Sequence, residues 1–315
     1  MVEQALQALP YERKPKRLYE PVQYELSLGG KRIRPVLMLM GYNLYHEDPS
    51  PIMMQALGLE TYHNYTLLHD DLMDRAEIRR GKPCVHKVWD DNTAILSGDA
   101  MLVLAYQYMA QCDEAHLPAV IRLFTETALE IGEGQQYDMD FETRMDVTED
   151  EYIEMIRLKT SVLLACALKI GALLADAPAS DADALYDFGE SIGLAFQLQD
   201  DYLDVYGDEK VFGKRIGGDI LCNKKTYMLI NAFLRADERQ QAELNDWISR
   251  TSYDEAEKIA AVTRLYNEMN IAQLAQQKMD FYHQKALQAL ERVSVAEEKK
   301  AVLRDLAEQL MKRQK

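Results

Sequence analysis

Six aspartates set the chemistry to consider first: Asp70, Asp71 and Asp74 in LLHDDLMD, and Asp200, Asp201 and Asp204 in FQLQDDYLD. Both groups read D-D-x-x-D, and both fall late in long helical patterns. At about 100° per residue, positions i, i+1 and i+4 share one arc of a helix. Like charges at i,i+4 destabilise a helix by about 0.2–0.5 kcal/mol per pair, so each motif asks for a compensating cation. Mg²⁺ fits that need: it takes hard oxygen ligands and is typically held by one or two carboxylates together with waters and substrate phosphates. A single motif in so acidic a chain would read as a solvated face. Two copies, each flanked by apolar residues (Leu67, Leu68 and Leu72; Leu198 and Leu203), point to metal-assisted phosphate chemistry.

Other residues gather around these motifs. Gln197 lies three and four residues before Asp200 and Asp201, on their face. His63 lies seven before Asp70, also on its face, as either a packed histidine with satisfied hydrogen bonds or a substrate contact. Two segments break the helical pattern. EIRRGKPCVH (77–86) carries a basic pair and a glycine; GDEKVFGKRIGGD (207–219) carries four glycines and three basic residues. Glycine lets a backbone approach a ligand closely, and Arg or Lys gives charge-assisted hydrogen bonds to phosphate. Taken singly, each segment also reads as an ordinary surface turn.

The elements that must position these residues are helices. Apolar residues recur with helical period over 35–44, 52–73, 92–111, 117–139, 149–174, 181–205, 224–235, 253–290 (with a break) and 295–312. Thr148 with Glu151 forms a capping-box pattern, and Ser294 precedes the last helix. Alternating β-branched and polar residues are almost absent, and no repeat, low-complexity tract or long linker interrupts the chain. The reading is one all-helical domain over residues 1–315.

Composition narrows the function classes. The chain has 36 basic and 52 acidic residues, a formal charge of −16, the wrong sign for a general nucleic-acid binder. Divalent metal would invert that sign locally. Cys84, Cys112, Cys166 and Cys222 form no C-x-x-C pair, so reduced, mostly buried thiols and a cytoplasmic location are expected. No signal peptide is evident, and the longest apolar stretch, 161–175, contains Lys169 and is too short to be a transmembrane segment.

In this order along the chain, the motifs resemble the trans-isoprenyl diphosphate synthases, or polyprenyl synthetases. The resemblance runs through Gly29-Gly30-Lys31-Arg32-Ile33-Arg34-Pro35, His63 with the first aspartate motif, and Arg79-Arg80-Gly81-Lys82-Pro83. It continues through Gly134-Gln135 with Asp138, Lys159-Thr160, Gln197 with the second aspartate motif, Gly213-Lys214, Gly218-Asp219 and Lys224. It implies an all-α antiparallel helical bundle of the isoprenoid synthase type, with a central cavity between the helices that carry the aspartates, and a homodimer. It implies Mg²⁺, three ions per site with substrate bound. Asp70, Asp74 and Asp200 would be the main ligands, with Asp71, Asp201 and Asp204 assisting or holding metal-bound waters. Lys31, Arg34, His63 and Arg80 look like an isopentenyl diphosphate pocket. Arg79, Lys159, Thr160, Gln197, Lys214 and Lys224 look like an allylic diphosphate site. The C-terminal Met311-Lys312-Arg313-Gln314-Lys315 resembles a basic tail that closes over the isopentenyl diphosphate pocket in some members.

The implied reaction is ionisation of an allylic diphosphate followed by attack of the isopentenyl double bond on the cation. Metal, Lys159, Lys214 and Arg79 would stabilise the departing diphosphate, Thr160 the cation, and closure would exclude water. Product length would follow from bulk before the first motif. Tyr65 and Thr66 stand five and four residues before Asp70, and Tyr62 stands eight before it. An aromatic at Tyr65 without a two-residue insertion in the motif resembles archaeal-type geranylgeranyl synthases, so a C20 or C15 product is expected. Three alternatives stand beside this reading. A terpene cyclase would carry one D-D-x-x-D and a different second metal motif. A metal phosphohydrolase would use His69-Asp70 but usually recruits further histidines, and the chain has six in all. A non-catalytic helical subunit typically has degraded aspartate motifs.

Overall fold

A computed structural model describes residues 1–208 and 216–311. Gly213, Lys214 and the basic residues of 312–315 lie outside the described residues. The fold is all-α. In order come α1 (Val2–Gln7), α2 (Lys16–Ser27), α3 (Ile33–Asn43), a 3₁₀ turn (Ser50–Ile52), α4 (Met53–Met73), α5 (Val85–Val88), α6 (Asp91–Met109), α7 (Leu117–Thr143), α8 (Glu149–Ile156) and a π-turn (Arg157–Ser161). There follow α9 (Val162–Leu174), α10 (Ala179–Tyr206), α11 (Gly218–Leu221), α12 (Tyr227–Arg235), α13 (Glu238–Ser249), α14 (Glu255–Glu268), α15 (Ile271–Glu291) and α16 (Glu297–Met311). The strands among the described residues are β1 (Ile78–Arg79) and β2 (Lys82–Pro83), a two-residue antiparallel pair inside the 77–86 segment.

The chain forms two compact units: Met1–Thr125 with Cys166–Asp183, and Glu126–Ala165 with Ala184–Lys315. In the first, Val22, Leu37, Met38, Leu57, Leu59, Met101 and Phe124 are fully buried. In the second, a core cluster gathers Tyr152, Leu198, Met228, Leu244, Trp247, Leu265, Tyr266 and Met279.

Local chemistry explains most boundaries. The Thr148 capping box is formed in full, its hydroxyl accepting from Glu151 N while the Glu151 carboxylate accepts from Thr148 N. The break expected in 253–290 falls at Met269 and Asn270, where Asn270 turns left-handed at φ 54°. Several boundaries differ from the sequence expectation. The last helix starts at Glu297, three residues past Ser294. The 149–174 helix is interrupted by the π-turn. Helices α1 and α2 lie outside the periodic segments read from the sequence, and α2 runs through Pro21. Helix α13 is polar and was missed, yet Asp237 and Gln240 close a capping box at its start. Cys84 and Cys166 are buried, Cys112 is half-buried and Cys222 is exposed, and all four are free thiols.

Candidate active site

The first unit builds a cationic pocket around one turn. Gly29 and Gly30 take φ of +83° and +134°, which opens the chain between α2 and α3 without a side chain in the way. Arg32 follows, left-handed and buried. It donates to Glu60 Oε1 at 2.6 Å, Glu3 Oε2 at 3.0 Å and the Leu26 carbonyl at 2.6 Å, so the turn is tied to α4, α1 and α2 at once. Lys31 is left exposed. Arg34 Nη1 lies 3.1 Å from His63 Nε2. An arginine can only donate, so that nitrogen accepts and the imidazole is neutral with its proton on Nδ1. Burial first, then Arg34 and Arg80, holds His63 well below the usual imidazole range. Burial also pulls Arg34 down to about 10. Arg80 donates to the Gly29 carbonyl and lies 3.5 Å from Asn64 Oδ1. A Cβ on Gly30 would sit 2.9 Å from its guanidinium carbon and would displace that side chain, and the φ of +134° itself favours glycine. Cations packed this closely repel one another, and an anion is the natural occupant.

The first aspartate motif ends α4 beside this pocket. Asp70 is half-buried and Asp74 exposed, whereas Asp71 is buried. Both Asp71 oxygens are engaged by Arg79, with Nε at 2.7 Å and Nη2 at 2.5 Å. Deeper still, Glu25 is fully buried with neither carboxylate oxygen hydrogen-bonded. Burial, then Asp71, pushes it up to about 7, against the opposing pull of Arg79, Arg80 and Arg32. Earlier on α4, Tyr62 is buried and packs edge-on against Phe124 at 5.2 Å. Tyr65 stands 5.5 Å from Tyr62 and 4.8 Å from the His69 ring. The Thr66 hydroxyl donates back to the His63 carbonyl at 2.8 Å.

The second unit gathers its own set of polar side chains around the second motif. Lys159 and Thr160 stand on the π-turn, a geometry that appears mostly as single turns at functional sites. Lys159 Nζ donates to Asp138 Oδ2 at 2.6 Å, and Thr160 Oγ1 to Gln197 Oε1 at 3.4 Å. Gln197 in turn reaches Asp201 Oδ1 at 3.4 Å. Asp201 is fully buried: the Tyr152 hydroxyl donates to its other oxygen, as does Tyr227 N at 3.1 Å. Burial, then Asp219, pushes Asp201 up to about 7. Asp204 is buried too. Its Oδ2 accepts from Asp219 N at 3.0 Å and its carbonyl from Gly217 N at 2.6 Å, which fastens α11 to α10. Lys224 N bonds the Asp219 carbonyl just after α11. Asp200 is half-buried.

The acidic residues thus sort by position. Asp70, Asp74 and Asp200 reach solvent, while Asp71, Asp201 and Asp204 are buried and hydrogen-bonded. Among the described residues no group of three or more His, Cys, Asp or Glu side chains is drawn together as a ready-made metal cage. The carboxylates of both motifs are hard oxygen donors, the ligand type that suits Mg²⁺. Sequence reasoning missed Glu25, Glu60 and Tyr152, and gave Arg32 no role beyond its place in the Gly29–Pro35 motif. Glu60 had a visible signal: it is charged, in the otherwise apolar run Ala56-Leu57-Gly58-Leu59. Glu25 had none, because its importance lies in being buried among residues remote in sequence.

Known proteins match the chain over most of its length. The polyprenyl synthetase family model matches residues 15–269. The chain is 42% identical over 234 residues to the geranylgeranyl diphosphate synthase of Methanosarcina mazei, covering 74% of this chain and 72% of that protein. It is 37% identical over 289 residues to the (2E,6E)-farnesyl diphosphate synthase of Mycobacterium tuberculosis, covering 90% and 80%. A crystal structure of a geranylgeranyl pyrophosphate synthase superposes with a TM-score of 0.94 at 43% identity, over 100% of this chain and 97% of the other. A match of this extent, in a helical chain that keeps both acidic motifs, means that the chain belongs to the polyprenyl synthetase family.

Proposed function

We propose that the chain is a trans-prenyltransferase that condenses isopentenyl diphosphate with an allylic diphosphate to a short all-trans product, geranylgeranyl (C20) or farnesyl (C15) diphosphate. The observation that carries this reading is that each unit pairs one intact acidic motif with its own set of cationic and hydrogen-bonding side chains. The relatives named geranylgeranyl and farnesyl diphosphate synthases support it.

Lys31, Arg34, His63 and Arg80 bind the diphosphate of isopentenyl diphosphate. A neutral His63 suits this role as a donor through Nδ1 while Arg34 supplies charge. Arg79, Lys159, Thr160, Gln197, Lys214 and Lys224 serve the allylic diphosphate. Asp70, Asp74 and Asp200 hold Mg²⁺, and Asp71, Asp201 and Asp204 assist by fixing the groups around them. Mg²⁺ held by these carboxylates would supply Lewis-acid stabilisation to the leaving diphosphate. Lys159 and Arg79 would each add positive charge to stabilise the departing diphosphate, and the Thr160 hydroxyl dipole would stabilise the allylic cation. The double bond of isopentenyl diphosphate then attacks that cation, and the departed diphosphate takes up the proton lost as the new allylic double bond forms. No enzyme nucleophile takes part. The working form is a homodimer, a reading supported by exposed Leu96 and Val103, seven residues apart on α6.

The test is incubation with Mg²⁺, labelled isopentenyl diphosphate and each allylic starter in turn, followed by chain-length analysis. C20 or C15 product, lost on chelation, is expected. Turnover of an allylic diphosphate without isopentenyl diphosphate would favour a cyclase or a hydrolase, and full turnover after chelation would refute the metal reading.

A further inference from the structure

Lys159 and Thr160 are presented by a π-turn rather than an α-helix, and that turn lies against two glycines on other helices of its own unit. A Cβ built on Gly134 of α7 would collide with Lys159 N and lie 2.8 Å from both Leu158 C and Lys159 Cα. A Cβ built on Gly193 of α10 would lie 2.7 Å from Ser161 Cα. These are backbone atoms, which cannot rotate out of the way as a side-chain tip can. An alanine at either place would therefore move a helix or reset the turn.

The residue one helical turn beyond each glycine holds a functional side chain. Asp138, four after Gly134, accepts from Lys159 Nζ at 2.6 Å. Gln197, four after Gly193, accepts from Thr160 Oγ1 at 3.4 Å. Residues at i and i+4 share a helix face, so the approach distance set at the glycine fixes whether its partner can make contact.

We propose that Gly134 and Gly193 are positioning residues: their missing side chains let α7 and α10 close on the π-turn, which brings Asp138 to Lys159 and Gln197 to Thr160 and so aims both at the allylic substrate. The inference rests on the roles given above to Lys159 and Thr160. Gly189, one turn before Gly193 on α10, supplies the internal comparison. A Cβ there would lie 2.7 Å from Ala165 Cα, equally tight, but against regular α9 rather than the π-turn.

The experiment compares Gly134→Ala, Gly193→Ala and Gly189→Ala in the full chain, beside Lys159→Ala and Thr160→Val. It measures Tm, kcat, KM for each substrate, and the fraction of allylic diphosphate that ends as alcohol. All three glycine variants should lose Tm to a similar extent. Gly134→Ala and Gly193→Ala should lose about 10–100-fold in kcat, the scale of a misplaced catalytic group, and release more alcohol. Gly189→Ala should keep kcat within about twofold, and KM for isopentenyl diphosphate should move little in any of them. Amide exchange at residues 159–161 should change in the first two variants and not in the third. Equal kinetic losses in all three, or wild-type kcat in the first two while Lys159→Ala is impaired, would overturn the inference alone. Wild-type kcat in both Lys159→Ala and Thr160→Val would overturn the roles it rests on as well. Should a glycine variant not fold, Asp138→Asn carries the test without added bulk: it should lose kcat at unchanged Tm, and wild-type kcat there overturns the Gly134 half.

Discussion

Asp71 and Asp201 hold the second place in their motifs, and both are withdrawn from solvent to hold something else. Asp71 grips Arg79 through two hydrogen bonds; Asp201 collects the Tyr152 hydroxyl and the first amide of α12. Their neighbours Asp70 and Asp200 reach solvent and can meet a metal ion. Glu25 is the residue that most invites measurement. Its folded value of about 7 lies above the ordinary 4.5, so the folded state holds this proton more tightly than the unfolded chain. Stability at this site is therefore full below about pH 4.5, falls as pH rises towards 7, and is level above that. Glu25→Gln cannot titrate. Its stability relative to the wild type should be steady at low pH and should rise by on the order of 2 kcal/mol between pH 5 and 8. Denaturant titrations of both proteins across that range provide the check; a pH-independent difference would mean Glu25 does not ionise there.

At the scale of the element, α4 carries three functions along one axis. Glu60 anchors Arg32, Tyr62 and Tyr65 form an aromatic step, and Asp70 to Asp74 close the C-terminal end. Tyr62 and Tyr65 are three residues apart, so a helix stacks them on neighbouring positions of one face. Phe124 of α7 then backs Tyr62 from behind. This gives the chain-length reading a physical form: the step has support and cannot simply swing aside. Tyr62→Ala with Tyr65→Ala should lengthen the main product by at least one C5 unit. Each single change should act less, and unchanged chain length in the double variant would remove both residues from that role. The buried pair Arg32–Glu60 ties the turn before α3 to the same element. Losing one partner of such a pair typically destabilises by about 3–5 kcal/mol, because the other charge stays buried alone.

For the molecule as a whole, a charge of −16 opposes two anionic substrates. Screening limits that repulsion to about 8 Å at physiological ionic strength, so attraction has to be built locally. The cationic turn after α2 does this directly, and the acidic ends of α4 and α10 would do it through the divalent metal proposed above. No helix among the described residues is long and apolar enough to cross a membrane. The exposed apolar residues Leu96 and Val103 on α6, 59% and 68% accessible, are the feature a second copy would cover. Leu96→Glu with Val103→Glu should convert a dimer to a monomer in sedimentation at micromolar concentration. A dimer that persists in this variant would place the contact elsewhere.

Most of the longer helices and both acidic motifs were legible in the sequence, because each rests on short-range periodicity or spacing, while the Gly29-Gly30 turn entered only through the family resemblance. A helical wheel orients a residue about its own axis and says nothing of what other helices bring to it. For that reason the tertiary structure alone decided that Asp71 and Asp201 turn inward, that Glu25 lies buried among arginines, that Phe124 supports Tyr62, and that 149–174 contains a π-turn. Each depends on packing between segments distant in the chain, where the free energy of burial and close contact outweighs local preference.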